Sequence, residues 1–291
     1  MKKALITLIH KKQERTLWKN YRPISLLNIS YKIYSKALAN RLKNVLDQVI
    51  DEDQIGCVPK RFIGENIMLF LEAYEHMTAT GGTGAFLFLD FEKAFDRVER
   101  TFIWSSMENM NFGPKFISFC KTLYSGSFSN VLVNGHPSKR VEVHTGVRQG
   151  CPIAALLYLI ACEPMANMIR SDSLFQGLTM PKIRNTKAAT RLCISQYCDD
   201  TLLFCANIND VRRAQGILAL YELGTGQKFN YSKSPALYVG LPPPQMLLSQ
   251  FWKMTTLSEY LASTSEFIST TSMSGTRKKM RYTPSLPTTQ S

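Results

Sequence analysis

The sequence Tyr197-Cys198-Asp199-Asp200 lies between two short apolar runs, LCIS at 192–195 and TLLF at 201–204. Runs of β-prone residues on both sides of a tight polar centre are typical of two antiparallel strands joined by a turn, and Asp tolerates the backbone angles that a turn requires. The stretch therefore predicts a β-hairpin with two carboxylates at its tip. Adjacent Asp residues are also common in solvated turns, so the pair alone does not establish a catalytic role.

A second stretch, far upstream, supplies another carboxylate. The run AFLFL at 85–89 is apolar, long enough for a buried strand and too short for a helix, and it ends in Asp90. Residues 91–98 then predict the start of a helix. If this strand lies beside the hairpin, Asp90, Asp199 and Asp200 converge. Carboxylate oxygens so placed suit Mg²⁺, which keeps further positions for water and substrate phosphate. This is the layout of two-metal phosphoryl transfer.

The composition sets the broad class of the protein. With 291 residues, of which 45% are hydrophobic, the chain can bury the core of one large domain or two small ones. Its net charge of +13 favours a polyanionic partner, with nucleic acid as the leading candidate and a merely soluble basic surface as the alternative. Its seven Cys residues contain no Cys-x-x-Cys pair, which argues against a disulfide framework and a zinc site. An intracellular location, in the nucleus or the cytoplasm, is therefore expected.

No membrane segment is predicted. The apolar run at 4–9 is too short for a signal peptide, and positive charge returns at Lys11. The stretch 151–169 is nearly uncharged and about as long as a membrane span, but Glu163 and Pro164 interrupt it. A buried helix is the better interpretation of this stretch.

Other local patterns predict helices and turns. Apolar residues recur at helical intervals over 31–50, 67–77 and 211–223, and basic residues lie among them in the first of these stretches. The Asn134-Gly135 pair follows a short apolar run and is a strong hairpin signal. The positive charges between residues 10 and 22 predict a basic hairpin or loop.

Three blocks of the chain, taken in order, resemble the three central palm motifs of reverse transcriptases. They are DFEKAFD at 90–96, GVRQGCP at 146–152 and YCDD at 197–200. Two upstream blocks, NYRPISLLN at 20–28 and QIGCVP at 54–59, are similar to fingers signatures of non-LTR (LINE-type) retrotransposons. Because all five blocks keep the family's order at suitable spacing, the chain resembles the reverse transcriptase domain of such an element.

The resemblance implies an α+β fold of the right-hand polymerase type, with an antiparallel palm sheet backed by helices. It places fingers at 1–84 and a palm at 85–241 that carries a fingers-like insertion at about 101–145. Residues 242–291 are rich in Ser, Thr and basic residues and are expected to form a degenerate or disordered tail. Because the family normally adds a thumb and an endonuclease, the expectation is a fragment that lacks both.

The implied activity is RNA-directed DNA polymerisation, by two-metal nucleotidyl transfer. Its partners would be an RNA template, a DNA primer and deoxynucleoside triphosphates, and its cofactor two Mg²⁺ ions, with Mn²⁺ as the alternative ion. A catalytically silent nucleic-acid-binding remnant is the alternative function. The intact carboxylates favour the enzyme, whereas the expected lack of a thumb favours the remnant. The oligomeric state is left open.

The resemblance also assigns roles to individual residues. Asp90, Asp199 and Asp200 would be the catalytic carboxylates, and they would hold the metal ions together with the backbone carbonyl of Phe91. The predicted nucleotide-binding residues are Lys11 and Arg22 at the triphosphate, Phe95 as a steric gate against a 2′-hydroxyl, Gln149 and Gly150 beside the new base pair, and Lys233 near the departing pyrophosphate. The predicted nucleic-acid contacts are Lys36, Arg41, Arg61 and Arg148.

Some of these assignments have a structural alternative. Lysine offers a point charge and arginine a planar fork for phosphate oxygens, but basic residues more often form a solvated face. Phe95 could be an ordinary core aromatic residue and Lys233 an exposed structural lysine.

Three departures from the family pattern have expected physical consequences. Lys60 stands where the family has glycine, and it is expected to weaken a tight turn. Cys198 stands where alanine is usual, but cysteine is small and fits the same space. Ala154-Ala155 replaces Ser-Pro, which is expected to loosen the start of the following helix.

Overall fold

The structure of the protein is a computed structural model, which describes residues 3–11, 14–181, 190–240 and 253–255. The described residues up to Met254 belong to one compact unit. Apart from a strand at Lys253–Thr255, the predicted tail at 242–291 lies outside the described residues.

A five-stranded sheet carries both carboxylate-bearing stretches. Its middle strand β3, Gly84–Leu89, pairs antiparallel with β10, Asp200–Cys205, on one side and with β11, Pro235–Val239, on the other. The strand β9, Ile194–Tyr197, pairs antiparallel with β10, and β12, Lys253–Thr255, lies beyond β11. Almost every residue of β3 is buried, as its unbroken apolar run predicts.

The predicted hairpin at 197–200 is confirmed, with one correction to its tip. Tyr197 pairs with Asp200, so the turn itself contains only Cys198 and Asp199. Cys198 has a φ of +57°, in the left-handed region. The strained position of the turn is therefore a cysteine and not an aspartate, and Asp200 is already the first residue of a strand.

A second five-stranded sheet is built on the N-terminal hairpin. The strand β1, Lys3–His10, pairs antiparallel with β2, Tyr21–Leu27, which confirms the predicted basic hairpin. The inserted segment adds β4, Phe128–Val133, parallel to β1. Two short strands, β5, His136–Pro137, and β6, Val141–Glu142, pair with β4 and complete this sheet. A separate two-stranded sheet consists of β7, Leu178–Met180, and β8, Thr190–Leu192.

Within the described residues, eight α-helices accompany these sheets. They are α1, Ile29–Lys43; α2, Leu46–Val49; α3, Gly64–Ala79; α4, Ala94–Arg97; α5, Arg100–Asn109; α6, Pro114–Tyr124; α7, Ala154–Ser171; and α8, Ile208–Thr225.

The helix α7 is the centre of the core. It packs against α5, α8 and β9, and most of its residues are buried, which explains why its sequence is apolar on all sides. It continues through Pro164 and begins at Ala154, so the replacement of Ser-Pro does not prevent the helix from starting there. In the described part of the chain, no helix has the length and apolar character that crossing a membrane would need.

Two predicted helices need correction. The stretch 31–50 is divided into α1 and α2, with Asn44 at the end of α1, and its Ile33 side chain is 66% exposed instead of buried. The stretch 91–98 becomes helical only at Ala94, because Lys93 has a φ of +52°, a left-handed conformation that cannot continue a helix. The Asn134-Gly135 turn between β4 and β5 has positive φ at both residues, as predicted.

The exposed glycine in α8 offers a test of this helix. Gly216 lies inside the helix, and a Cβ added there would meet nothing within 4 Å. Gly216→Ala is therefore expected to raise the free energy of unfolding by about 1 kcal/mol, because alanine loses less backbone entropy in a helix. Thermal denaturation should show a rise in Tm of about 2 °C. A fall in Tm would contradict a helix at this position.

Candidate active site

The strand register brings Asp90 and Asp200 together. Leu89 pairs with Thr201 in the antiparallel β3–β10 ladder, so Asp90, one residue later, lies opposite Asp200, one residue earlier. Asp199 is the neighbouring residue in the turn. The convergence of these carboxylates at one end of the central sheet thus follows from pairing between strands that are far apart in the chain.

The environment of these carboxylates disfavours their negative charge. Burial, together with the negative charges of Asp199 and Asp90, raises the pKa of Asp200 to about 6, although the Asp200 side chain is itself accessible to solvent. Burial also raises the pKa of Asp90 and of Asp199. A cation bound among the three would relieve this repulsion.

Basic side chains face the carboxylates from two directions. Lys11, from the N-terminal hairpin, lowers the pKa of all three carboxyl groups, and Arg22 lowers that of Asp199. Lys233, from the segment between α8 and β11, lowers the pKa of Asp90. The structure therefore brings three predicted nucleotide-binding residues, Lys11, Arg22 and Lys233, to the predicted catalytic carboxylates.

The segment that contains Lys233 is tied to Asp90 by its backbone. The Asp90 N–H donates to the Ser234 hydroxyl at 3.0 Å, and the Asp90 carbonyl accepts from the Asn230 N–H at 2.8 Å. Phe91 forms a β-bridge with Phe229, and their rings lie 4.4 Å apart. These contacts fix the end of β3 and hold Lys233 beside it. The role of the Phe91 carbonyl as a metal ligand stays a prediction.

The turn of Cys198 and Asp199, named the catalytic turn after the predicted role of Asp199, is supported by Gln54 and Gly56. The Gln54 side-chain oxygen accepts from the Cys198 N–H at 2.8 Å and from the Gly56 N–H at 3.0 Å, while its amide donates to the Cys198 carbonyl at 3.4 Å. A Cβ on Gly56 would lie 2.3 Å from the Cys198 nitrogen. Gln54 and Gly56 therefore position the turn that carries Asp199, a role that the sequence analysis missed.

The loop before α7 contacts both the helix after Asp90 and the N-terminal hairpin. The Val147 N–H donates to the Phe95 carbonyl at 2.7 Å, and the Ser25 N–H donates to the Gln149 carbonyl at 2.9 Å. Gly150 has a φ of +99°, and a Cβ there would lie 2.9 Å from the Ser25 carbonyl oxygen. Gln149 and Gly150 thus lie where the two regions meet.

A cavity of about 350 Å³ opens beside this loop. Its walls include Pro23 and Ser25 of the N-terminal hairpin, Asp96, and Gln149. The Gln149 amide donates to the Asp96 carboxylate at 3.4 Å across this space. Phe95 lies half-buried next to Asp96 and stacks on Tyr158, with ring centroids 4.7 Å apart.

Arg100 is a second supporting residue that the sequence analysis missed. Its guanidinium donates to the carbonyls of Val143, Thr145 and Gly146 at 2.8, 3.0 and 2.9 Å, and it thereby fixes the backbone that leads into the loop. Nothing in its own sequence context marks it, because these three carbonyls lie more than forty residues away.

Two of the four predicted nucleic-acid contacts have their guanidinium groups largely inside the protein. The Arg61 side chain is only 14% exposed and donates to the carbonyls of Gln54 and Asp51. Arg148 is 5% exposed, and its guanidinium lies over the Tyr31 ring at 5.4 Å. Both arginines are engaged inside the protein. Their contact with nucleic acid stays a prediction.

The other two predicted contacts lie on the surface of α1. Lys36 is exposed, and Arg41 is exposed with its guanidinium 5.7 Å from the centre of the Phe116 ring. Their contact with nucleic acid stays a prediction. Lys60 has a φ of +69°, so the position does require the conformation that glycine adopts most easily.

The donor set suits a hard divalent cation, since it consists of carboxylate oxygens under mutual repulsion. Among the described residues, however, no three His, Cys, Asp or Glu side chains are grouped closely enough to hold a metal ion as they stand. The predicted convergence is thus seen in the backbone register and in the electrostatic coupling of the three carboxyl groups.

Comparison with known proteins decides the family. Residues 9–276 match the family model described as reverse transcriptase (RNA-dependent DNA polymerase). The chain belongs to the reverse transcriptase family. Enzymes of this family generally use divalent metal ions, and the match covers all the carboxylates and basic residues described above.

Two relatives indicate the group of reverse transcriptases to which this chain is similar in sequence. The Transposon TX1 uncharacterized 149 kDa protein of Xenopus laevis is 36% identical over 83% of this chain, and the RNA-directed DNA polymerase from mobile element jockey of Drosophila melanogaster is 29% identical over 56%. The predicted affiliation with LINE-type elements is confirmed. The chain spans 18% of the length of each of these relatives.

Solved structures support the fold of this reverse transcriptase chain. A telomerase structure from Candida albicans matches 83% of this chain and 42% of its own, with a TM-score of 0.57 and 11% identity. The predicted α+β right-hand fold with fingers and palm is confirmed. At this level of identity the likeness concerns the fold alone.

Proposed function

We propose that this chain is the RNA-directed DNA polymerase domain of a LINE-type element and transfers deoxynucleotides to a primer on an RNA template. The observation that carries the proposal is the register of β3 and β10, which sets Asp90 against Asp200 with Asp199 in the adjoining turn. Three carboxylates facing Lys11 at one end of a sheet suit phosphoryl transfer between two polyanions.

Each side of the site contributes a different part of the chemistry. Lys11 and Arg22 would bind the triphosphate oxygens, since their positive charges already reach the carboxylates. Lys233 would stabilise the charge on the departing pyrophosphate, and its place is fixed by the backbone ties to Asp90. Gln149 and Phe95 would hold the base and the sugar beside the cavity. Positioning and charge stabilisation supply most of the catalysis in this class of reaction.

Asp90, Asp199 and Asp200 would hold two Mg²⁺ ions, or Mn²⁺ in their place. Such ions would raise the nucleophilicity of the primer 3′-hydroxyl and neutralise charge on the leaving oxygens. Burial and, after it, the negative charges of Asp199 and Asp90 raise the pKa of Asp200 to about 6, and a bound cation would replace the repulsion by attraction. The carboxylates would then be ionised at neutral pH.

Primer extension tests this proposal. The 291-residue chain should extend a DNA primer on an RNA template with deoxynucleotides and Mg²⁺, and a chelator should abolish the reaction. Binding of the same labelled template–primer, followed in parallel, shows whether the protein is folded and engaged. Template binding without extension in either Mg²⁺ or Mn²⁺ would favour the silent nucleic-acid-binding remnant instead.

Phe95→Ala is expected to lower discrimination against ribonucleotides at least about tenfold, because removal of the ring leaves room for a 2′-hydroxyl. Its stacking on Tyr158 is lost as well, so the free energy of unfolding should fall by about 2 kcal/mol. Single-nucleotide incorporation with matched ribo- and deoxyribonucleotides measures the discrimination.

Phe112→Ala is the matched control for this variant. Phe112 is also half-buried and stacks on another ring, that of Phe116, but it lies in the connection between α5 and α6. It should lose similar stability and keep full discrimination. If Phe95→Ala behaves in the same way, Phe95 is a core residue and the gate assignment is wrong.

A further inference from the structure

Two cysteines that are far apart in sequence are in contact at the catalytic turn, and Cys198 is one of the two residues of that turn. The sulfur atoms of Cys57 and Cys198 lie 2.8 Å apart, although 141 residues separate them. Both belong to free thiols, and both residues have positive φ, +61° and +57°. The supporting contacts of Gln54 and Gly56 with the Cys198 backbone hold the two chain segments in this arrangement.

The pair has the exposure that a redox-sensitive site requires. Cys57 is exposed to solvent, whereas Cys198 is 9% exposed and lies behind it. The hydrogen bond from Cys198 lowers the pKa of Cys57 to about 7, which supports a reactive thiolate at the accessible position. By contrast, burial raises the pKa of Cys120 to about 12, so that thiol is expected to be inert.

We propose that Cys57 and Cys198 form a redox site, which hydrogen peroxide oxidises to a disulfide that restrains the catalytic turn. The Cys57 thiolate attacks one peroxide oxygen and breaks the O–O bond, which gives a sulfenic acid and releases hydroxide. The Cys198 sulfur then attacks the Cys57 sulfur, an S–S bond replaces the S–O bond, and a second hydroxide leaves. With the two thiol protons, the products are one disulfide and two waters. The sulfurs are oxidised and the peroxide is reduced.

The disulfide would alter the site because Cys198 directly precedes Asp199. An S–S bond is about 2.05 Å long, so oxidation draws the two sulfurs together by roughly 0.7 Å from their 2.8 Å separation. Where the neighbouring Asp199 carboxylate follows this movement by a similar amount, turnover is expected to fall by about tenfold or more. This consequence rests on the proposed function, but formation of the disulfide does not.

The experiment treats the reduced full chain with hydrogen peroxide, blocks the remaining thiols and maps disulfides by mass spectrometry. We expect a cross-linked pair of peptides containing Cys57 and Cys198, and its reversal by dithiothreitol. Hydrogen exchange of the peptide that spans the turn should slow in the oxidised chain. Primer extension should fall about tenfold or more on oxidation and recover on reduction.

Two variants distinguish oxidation of this cysteine pair from general oxidative damage to the chain. Cys57→Ser keeps a hydrogen-bonding group and should retain basal extension within about twofold, but it should lose the cross-link and the sensitivity to peroxide. Cys120→Ala, which removes a buried thiol elsewhere, should behave like the wild type.

Three outcomes would overturn the redox site. They are the absence of the cross-link between Cys57 and Cys198, unchanged hydrogen exchange in the turn, and unchanged primer extension in a chain shown to be cross-linked. A reduced chain that extends no primer would instead overturn the proposed polymerase, while disulfide mapping and hydrogen exchange would still decide the redox site.

Discussion

Asp199→Asn is expected to lower primer extension at least about a thousandfold, because it replaces a charged metal ligand in the turn by a neutral amide of the same size. A loss of about 4 kcal/mol of transition-state stabilisation corresponds to this factor. Binding of the RNA template should change less than about twofold, because the basic residues that contact phosphates are untouched. Single-turnover extension and template binding by the same preparation measure the two effects.

The matched control for this change is Asp47→Asn. Asp47 is 61% exposed and makes a surface ion pair with Arg61, and it lies outside the catalytic turn. Such exposed pairs contribute little, so both extension and binding should stay close to wild type. Extension by Asp199→Asn at the rate of this control would show that Asp199 does not hold the catalytic metal.

Gly56→Ala is expected to lower primer extension about a hundredfold, although residue 56 carries no reactive group. A Cβ at this position would lie 2.3 Å from the Cys198 nitrogen and 2.7 Å from the Tyr197 carbonyl carbon. Because both contacts are with backbone, the catalytic turn itself must move, and displacement of a catalytic ligand by about 1 Å costs a factor of this size. Extension at saturating nucleotide, with template binding as the reference, measures the loss.

Gly113→Ala is the control for the added methyl group. Gly113 has an ordinary φ of −61°, and a Cβ there would meet nothing within 4 Å. Its extension rate should be that of the wild type. Wild-type extension by Gly56→Ala would mean that Gly56 does not position the turn.

The local elements of this protein follow from its sequence because each depends on a pattern within one short stretch. The apolar run at 85–89 gives the buried strand β3, and the runs around Cys198 and Asp199 give the hairpin of β9 and β10. The apolar stretch after residue 151 gives the buried helix α7. Where the pattern failed, as at Lys93, a single left-handed residue shifted the start of a helix.

The resemblance to reverse transcriptases identified candidate residues but not their surroundings. It selected Arg61 and Arg148 as nucleic-acid contacts, but the structure buries Arg148 and leaves Arg61 half-buried with its guanidinium on backbone carbonyls. The sequence does not reveal whether an arginine side chain faces solvent or backbone carbonyl groups, because its partners come from other elements. Gln54 belonged to a recognised block, yet only its contacts with Cys198 show that it supports the turn.

The sequence alone thus determined the buried strand at 85–89, the hairpin at 197–200, the buried helix and the basic charge, since residue types and spacing are sufficient for these. Its five ordered blocks carried the resemblance to reverse transcriptases. Only the tertiary structure decided that Asp90 lies opposite Asp200, that Gly56 touches the catalytic turn, and that Cys57 meets Cys198 across 141 residues. The physical reason is that strand register and side-chain burial are set by packing between distant elements, and no local pattern records which of those elements will meet.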